Sequence, residues 1–187
     1  FSGKLGHLKD NSLNLKYIGI LSRLEKKELP KKYDLMVLLS GPEPQRTILE
    51  DKLIDEIEIF EGNILFIKGK VEKTQKMEQK NKITFCNFMT STELETAFNE
   101  SEMVLCRSGY TTVMDLAKLE KKAFFIPTPG QFEQEYLAKR LQENSVAPYA
   151  KQDEFTAANL GDLAKFFGFT KVDSTVNLDW FKLFEGK

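Results

Sequence analysis

The feature that most limits the possible folds of this chain is the alternation of short apolar runs with amphipathic stretches. One run, Asp34–Leu39, is apolar almost throughout, as in a strand that is covered on both faces. Further strands are predicted at Lys16–Leu21, Asn63–Ile67, Ile83–Phe88, Met103–Cys106 and Ala123–Ile126. Strands that alternate with helices predict the α/β class, with a doubly wound, Rossmann-like parallel sheet.

The stretches between these runs mostly have apolar residues at helical spacing. Helices are predicted from Gln45 to Ile57, from Ser91, around Thr111–Ala117, at Gln131–Asn144 and at Thr156–Phe167. Residues 70–81 are rich in Lys, Glu and Gln and are predicted to form a surface loop. Val146–Tyr149 is predicted to form a short edge strand. The chain is therefore divided into a linker with a first strand (1–33), an α/β domain (34–170) and an apolar tail (171–187) that packs on the domain or on an absent neighbour.

Composition excludes several classes of function. The net charge is −1 with no basic stripe, which argues against nucleic acid as a partner. The apolar runs are too short to span a membrane. Cys86 and Cys106 fall in predicted buried strands and their spacing makes no metal site. The single histidine, His7, cannot form a triad or a zinc cluster alone.

Three polar loops follow strands and are expected at one edge of the sheet. They are Ser40-Gly41, Arg107–Gly109 and the segment from Thr128 to Gln131. In open parallel sheets, ligands bind in the crevice beyond the carboxyl ends of the strands. The sequence therefore predicts a ligand site at this edge.

The stretch from Met103 to Gln134 contains the best candidate within that edge. A strand, a tight turn and a helix follow one another, and Thr111, Thr112 and Asp115 share one face near the start of the helix. Free N–H groups there suit a phosphate, and the carboxylate suits sugar hydroxyls. The alternative is an ordinary strand-to-helix turn, with Ser108 as a cap and Asp115 as a solvated charge.

Two motifs in this stretch resemble those of a known family. They are Val104–Leu116, VLCRSGYTTVMDL, and the segment from Pro127 to Tyr136 with its Glu133-Gln134 pair. The chain resembles the C-terminal, donor-binding half of GT-B glycosyltransferases, in the family 28 group that contains the N-acetylglucosaminyltransferase of peptidoglycan lipid-intermediate synthesis. The resemblance covers roughly residues 34–165 and implies one half of a GT-B fold.

The resemblance also implies roles for individual residues. The diphosphate is assigned to Ser108, Gly109, Thr111 and Thr112, and the ribose to Asp115. The donor sugar is assigned to Glu133 and Gln134, with Gln131 beside them. The base is assigned to Met89, and the lining of the pocket to Arg107. Ser40, Gly41 and Arg46 are weaker candidates on the phosphate side. That loop departs from the family pattern because Pro42 and Pro44 lack N–H donors and Glu43 adds negative charge.

The function implied is transfer of a sugar from a UDP-sugar to an acceptor held by an absent N-terminal domain, without a metal or other cofactor. The fragment alone is expected to be inactive, since the general base lies on the absent domain. The alternatives are a nucleotide-sugar epimerase or hydrolase of the same fold, and a non-catalytic subunit that pairs with an acceptor-binding partner. The complete protein is expected in the cytoplasm, with peripheral association at the inner face of the membrane left open.

Overall fold

The computed structural model describes residues 1–5, 7 and 19–170. Its centre is a six-stranded sheet in the order β3-β4-β2-β1-β5-β6. The strands are β1 (Tyr33–Leu38), β2 (Ile64–Ile67), β3 (Met77–Lys80), β4 (Ile83–Cys86), β5 (Ser101–Cys106) and β6 (Lys122–Phe125). All neighbouring pairs are parallel except β3 and β4, so the predicted α/β class is confirmed and its sheet is mixed.

Helices cover both faces of the sheet. They are α1 (Gln45–Ile57), α2 (Ser91–Glu100), α3 (Tyr110–Lys118), α4 (Phe132–Glu143) and a 3₁₀ helix (Ala157–Lys165). The period-two alternation of strand side chains divides the core: Leu35 and Val37 of β1 face α1 and the 3₁₀ helix, whereas Met36 between them faces α2, α3 and α4. This is the doubly wound arrangement that the apolar runs predict.

The main error of the sequence prediction is β3, which lies inside the predicted loop 70–81. All four of its residues are exposed, and it is held through backbone pairing to β4. An exposed edge strand has no apolar pattern to predict it. The stretch at Thr156–Phe167 was expected to form a regular helix, but it forms the shorter 3₁₀ helix.

Three further predictions concern the ends of the domain. Residues 19–21 are not in a strand, and the rest of predicted strand Lys16–Leu21 lies outside the described residues. Val146–Tyr149 contributes only one parallel bridge, between Tyr149 and Phe125. The predicted tail, 171–187, also lies outside the described residues. Within the described ranges, no helix combines the length and the apolar character that crossing a membrane would require.

Candidate functional site

The three polar loops do meet at one edge of the sheet. β5 lies between β1 and β6, and their last residues are in register, because Leu38 pairs with Cys106 and Cys106 pairs with Phe125. The chain therefore leaves the sheet at the same level at Leu39, Arg107 and Ile126. This confirms the predicted convergence of the loops.

The start of α3 offers unused hydrogen-bond donors at this edge. Gly109 is the N-cap residue and has no side-chain cap, and the first helical bond runs from Val113 N to Gly109 O. The N–H groups of Tyr110, Thr111 and Thr112 donate to no other residue of the described ranges. Thr111 is exposed and Thr112 is half-buried. Free N–H groups and the helix dipole together make this a favourable place for an anion.

The hydroxyl of Ser108, which is predicted to be one of the diphosphate donors, is engaged inside the protein. The residue is completely buried, and its hydroxyl donates to the backbone oxygen of Gln134 at 2.8 Å. A serine hydroxyl has one hydrogen to donate, so this group ties the β5–α3 turn to the first turn of α4 rather than donating to a phosphate.

Arg107 is also internal, although it was predicted to line the base or phosphate pocket. Only 1% of it is exposed. Its Nη1 donates to the carbonyls of Ile126 and Pro127 at 3.1 and 3.0 Å, and its Nη2 to Gln45 O at 3.0 Å and Gln152 Oε1 at 2.6 Å. Burial lowers its pKa to about 10, because desolvation disfavours the charged form. Arg107 forms no ion pair with a described residue, so its charge remains uncompensated within this edge.

Asp115 lies on α3 one turn beyond the helix start, where the ribose contact was predicted. Its Oδ1 accepts a 2.6 Å hydrogen bond from Ser22 Oγ. Burial raises the pKa of Asp115, and the Ser22 hydrogen bond and the charge of Arg23 oppose that shift. The sequence prediction assigned no role to Ser22 and Arg23, because they fall in the stretch 1–33 that is predicted to be a linker with a first strand. Their position directly after an apolar run was the available signal.

The first turn of α4 was predicted to contact the donor sugar. Gln134 is 9% exposed; its Oε1 accepts from Thr128 N at 2.9 Å and its Nε2 donates to Gln131 Oε1. These bonds fix the β6–α4 loop. Glu133 is exposed, and its carboxylate bonds to no residue in the described part of the chain. Glu133 is therefore the more available of the two for a ligand.

Thr128 is a further candidate, to which the sequence prediction assigns no ligand contact of its own. It is 2% exposed, and its hydroxyl has no hydrogen-bond partner among the described residues. A Cβ added to Gly41 would lie 3.8 Å from Thr128 Oγ1, which places the hydroxyl beside the β1–α1 loop. A buried hydroxyl without a partner is unusual in a folded protein and points to an absent ligand or water.

The weaker candidate Arg46 points to a different set of partners. It is 5% exposed, and its terminal nitrogens donate to Glu43, Thr47, Glu50 and the Lys68 carbonyl. Glu50 also pairs with Lys68 and Lys70 at 3.1 and 2.9 Å. This ion cluster occupies the guanidinium, so the geometry does not favour the predicted phosphate contact.

Met89 follows β4 at the same edge and is half-buried against the core that includes α2. β4 lies three strand positions from β5. At a spacing of about 4.8 Å per strand, the two lie roughly 14 Å apart. An extended nucleotide can bridge that distance, which keeps Met89 a candidate for the base.

Two other features of the described residues bear on where a ligand can bind. A groove of about 470 Å³ lies on the outer flank of α4, between Phe132, Tyr136 and Tyr149, and none of the predicted site residues lines it. Its walls are largely apolar, although Lys139, Lys151 and Gln152 also line it, and it includes none of the free N–H groups at the start of α3. Among the described residues, no group of three or more His, Cys, Asp or Glu side chains is placed to hold a metal ion.

Comparison with known proteins identifies a matching family model, sequence relatives and structures of similar fold. The family model described as glycosyltransferase family 28 C-terminal domain matches residues 45–165. A relative from Haemophilus ducreyi, named UDP-N-acetylglucosamine–N-acetylmuramyl-(pentapeptide) pyrophosphoryl-undecaprenol N-acetylglucosamine transferase, is 28% identical over 145 residues, which are 74% of this chain and 40% of that protein. The chain thus spans about two fifths of the length of that relative.

Two solved structures share the fold. Acinetobacter baumannii MurG has a TM-score of 0.52 at 19% identity, over 74% of this chain and 41% of that one. The NMR structure of ALG13 has a TM-score of 0.54 at 14% identity, over 86% of this chain and 95% of that one. At these identities the likeness concerns the fold, and it confirms the predicted GT-B half.

Proposed function

Because the chain belongs to the glycosyltransferase family 28 C-terminal domain family, we propose that it is a donor-binding domain that binds a nucleoside diphosphate sugar, with UDP as the nucleotide. The observation that carries this proposal is the start of α3. Three backbone N–H groups there have no partner among the described residues, and the hydroxyl of Thr128, which likewise has no described partner, lies at the same edge. Donors of this kind suit the oxygens of a diphosphate.

Each part of the donor has a candidate partner. The diphosphate lies on the N–H groups and hydroxyls of Thr111 and Thr112, with Gly109 allowing close approach. The ribose lies at Asp115, which has an oxygen left beyond its bond to Ser22. The base reaches Met89. The sugar lies at Glu133, with Gln131 and Gln134 holding the loop beneath it.

Ser40 and Gly41 close the phosphate side of the site. The chemical contribution of this donor-binding domain is to stabilise the leaving group. Negative charge grows on the diphosphate as the bond to the sugar breaks, and preorganised N–H groups at a helix start stabilise that charge. The buried, unpaired charge of Arg107 lies next to the residues that bind the diphosphate and adds to the positive potential. The proposal requires no metal. The general base and the acceptor belong to an N-terminal domain, so this chain alone binds donor without turnover.

The printed name of the Haemophilus ducreyi relative specifies UDP-N-acetylglucosamine as donor and a pyrophosphoryl-undecaprenol acceptor. We extend UDP-sugar specificity and a lipid-linked acceptor to the complete protein on that basis. The free, buried cysteines Cys86 and Cys106 suit a cytoplasmic location. A separate partner chain that supplies the acceptor half is the second arrangement.

Titration of the ¹⁵N-labelled chain with UDP, followed by NMR, tests the proposal. The expected result is saturable shifts of the amides of Tyr110, Thr111 and Thr112 at up to millimolar UDP, with uridine alone binding more weakly. A Thr111→Val, Thr112→Val variant should weaken binding about tenfold by removing two hydroxyl donors. A folded protein that shows no shifts at millimolar UDP would contradict the proposal.

A further inference from the structure

A strongly basic hairpin lies beside the candidate site and takes no part in the proposed donor binding. It comprises residues 68–82, which carry six of the 27 basic residues of the chain and only two acids, Glu72 and Glu78. Its net charge is therefore +4, although the net charge of the whole chain is −1. This local positive charge attracts partners of opposite charge.

The hairpin is an exposed but well-anchored surface. Every residue from 71 to 81 is exposed, including two apolar side chains, Val71 at 86% and Met77 at 56%. Asn87, itself buried, holds the loop: its Oδ1 accepts from Lys76 N at 2.8 Å and its Nδ2 donates to Thr74 O at 3.0 Å. The lysines therefore have a fixed backbone to project from.

Neighbouring acids do not neutralise the hairpin. Lys68 and Lys70 pair with Glu50, Lys76 pairs with Glu72, and Lys80 lies 3.8 Å from Glu58. Lys73 and Lys82 form no ion pair with any residue that the structure describes. When Arg46, Glu43, Glu50 and Glu58 are counted with the hairpin, the region still carries +2. The Lys76–Glu72 and Lys80–Glu58 pairs are exposed on both sides and exchange readily for other anions, whereas Glu50 is buried and retains Lys68 and Lys70.

Protection of an edge strand explains only part of this charge. Lysines on an edge strand prevent pairing with another sheet, which accounts for Lys80 in β3. Four of the six lysines, at positions 68, 70, 73 and 76, precede that strand. They lie where the chain leaves β2, at the carboxyl edge of the sheet that also holds the candidate site.

We propose that the hairpin formed by residues 68–82 is a docking surface for an anionic lipid bilayer. Clustered lysines are attracted to acidic headgroups, and apolar side chains such as Val71 and Met77 can enter the interface between headgroups and acyl chains. The loop adjoins the predicted base segment, because Gln75 Nε2 donates to Phe88 O at 2.9 Å. Docking therefore brings the candidate site to the membrane surface.

Vesicle co-sedimentation tests this surface. The chain should bind phosphatidylcholine vesicles that contain phosphatidylglycerol, bind pure phosphatidylcholine weakly, and lose binding as salt is raised. The triple change Lys73→Glu, Lys76→Glu, Lys80→Glu should weaken binding at least about tenfold at low salt. The matched control, Lys122→Glu, Lys139→Glu, Lys165→Glu, alters net charge equally at exposed positions elsewhere and should retain most of the binding.

Circular dichroism establishes that each variant is folded. If the triple variant fails to fold, Lys73→Glu alone serves, because that side chain has no ion pair to lose, and it should weaken binding in the same direction. Equal binding to both vesicle types, equal loss in the control, or retention on duplex RNA without vesicle binding would each overturn the proposal. UDP titration of the same variants should be unchanged, which separates this surface from the nucleotide site.

Discussion

Ser22 donates a 2.6 Å hydrogen bond to Asp115, a residue 93 positions further along the chain. The bond joins the segment before β1 to α3, where the ribose is proposed to bind. It also holds a half-buried carboxylate whose pKa burial raises above 3.8. Burial of the charged Asp115 carboxylate therefore lowers the stability of the folded protein, as is common for residues that serve in binding.

The first prediction is that Asp115→Asn stabilises the protein and weakens nucleotide binding. With the pKa raised in the folded state, the unfolding free energy falls as pH rises through the window between 3.8 and the folded pKa. Above that window asparagine removes the desolvation penalty and still accepts a hydrogen bond from Ser22, so Tm should be higher than that of the wild type at pH 7. The gain should vanish below the window, where aspartic acid is already neutral.

UDP affinity of the same variant should fall about tenfold, because a charged acceptor for the ribose hydroxyls is lost. Calorimetry on the two proteins measures both quantities. A variant that is more stable and binds UDP unchanged would show that Asp115 does not contact the ribose.

The second prediction concerns the unpartnered hydroxyl of Thr128. Thr128→Val keeps the shape of the side chain and removes a buried hydroxyl that has no hydrogen-bond partner in the described part of the chain. Stability should therefore stay within about 0.5 kcal/mol or rise. UDP affinity should fall about threefold to tenfold if the hydroxyl donates to a phosphate. Thr128→Ser, which retains the hydroxyl, is the matched control, and equal affinities in all three proteins would exclude a ligand role for the hydroxyl.

The third prediction separates the sugar from the nucleotide. Glu133 is exposed at the first turn of α4 and free of described partners. Glu133→Gln should lower the affinity for a UDP-sugar about tenfold and leave that for UDP unchanged, because only the sugar reaches this carboxylate. Glu143→Gln, at the far end of the same helix, should change neither. An equal loss of affinity for UDP and for the UDP-sugar would place Glu133 at the diphosphate instead.

The fourth prediction is a pH dependence of stability centred on Lys121. This lysine is 6% exposed, and its Nζ donates to Ser101 O at 2.8 Å. Burial and the nearby charges of Lys31 and Lys26, opposed by Glu102, lower its pKa from 10.5 to about 7. Between these values the unfolded chain binds more protons than the folded one, so this group makes the unfolding free energy rise with pH.

Lys121→Met removes that dependence. The variant should be more stable than the wild type at pH 6 to 7, and the difference should shrink toward pH 10.5. Ser101 O keeps a donor in the variant, because Lys31 Nζ lies 3.3 Å from it. Urea unfolding at several pH values provides the measurement. A difference that is constant with pH would mean that Lys121 titrates normally.

Much of the site could be predicted from the sequence because a parallel sheet brings its loops to one edge. The apolar runs locate the strands, and the strand order then follows the rules of doubly wound folds. Individual roles at that edge were harder to predict. Arg107 and Ser108 carry the right chemistry for a phosphate site, but their donors go to carbonyls of Pro127 and Gln134. A sequence pattern does not show which backbone carbonyls accept hydrogen bonds from these side chains.

Two other misses have the same kind of cause. The Ser22 partner of Asp115 lies far away in sequence, and no periodicity connects the two. β3 is recognisable only through its backbone pairing, because its side chains all face solvent. Sequence patterns report burial, so exposed strands and long-range polar contacts are the parts of this fold that they miss.

The four hydrogen bonds of Arg107 join the end of β6, the first residue of α1 and the segment at Gln152. One side chain thus fixes the relative positions of the loops around the nucleotide site in the free protein. The conformational entropy that must be lost to order the site is therefore lost when the protein folds and not when the donor binds. Donor binding should accordingly resemble entry into a rigid receptor, with a rate set by diffusion and orientation rather than by loop closure.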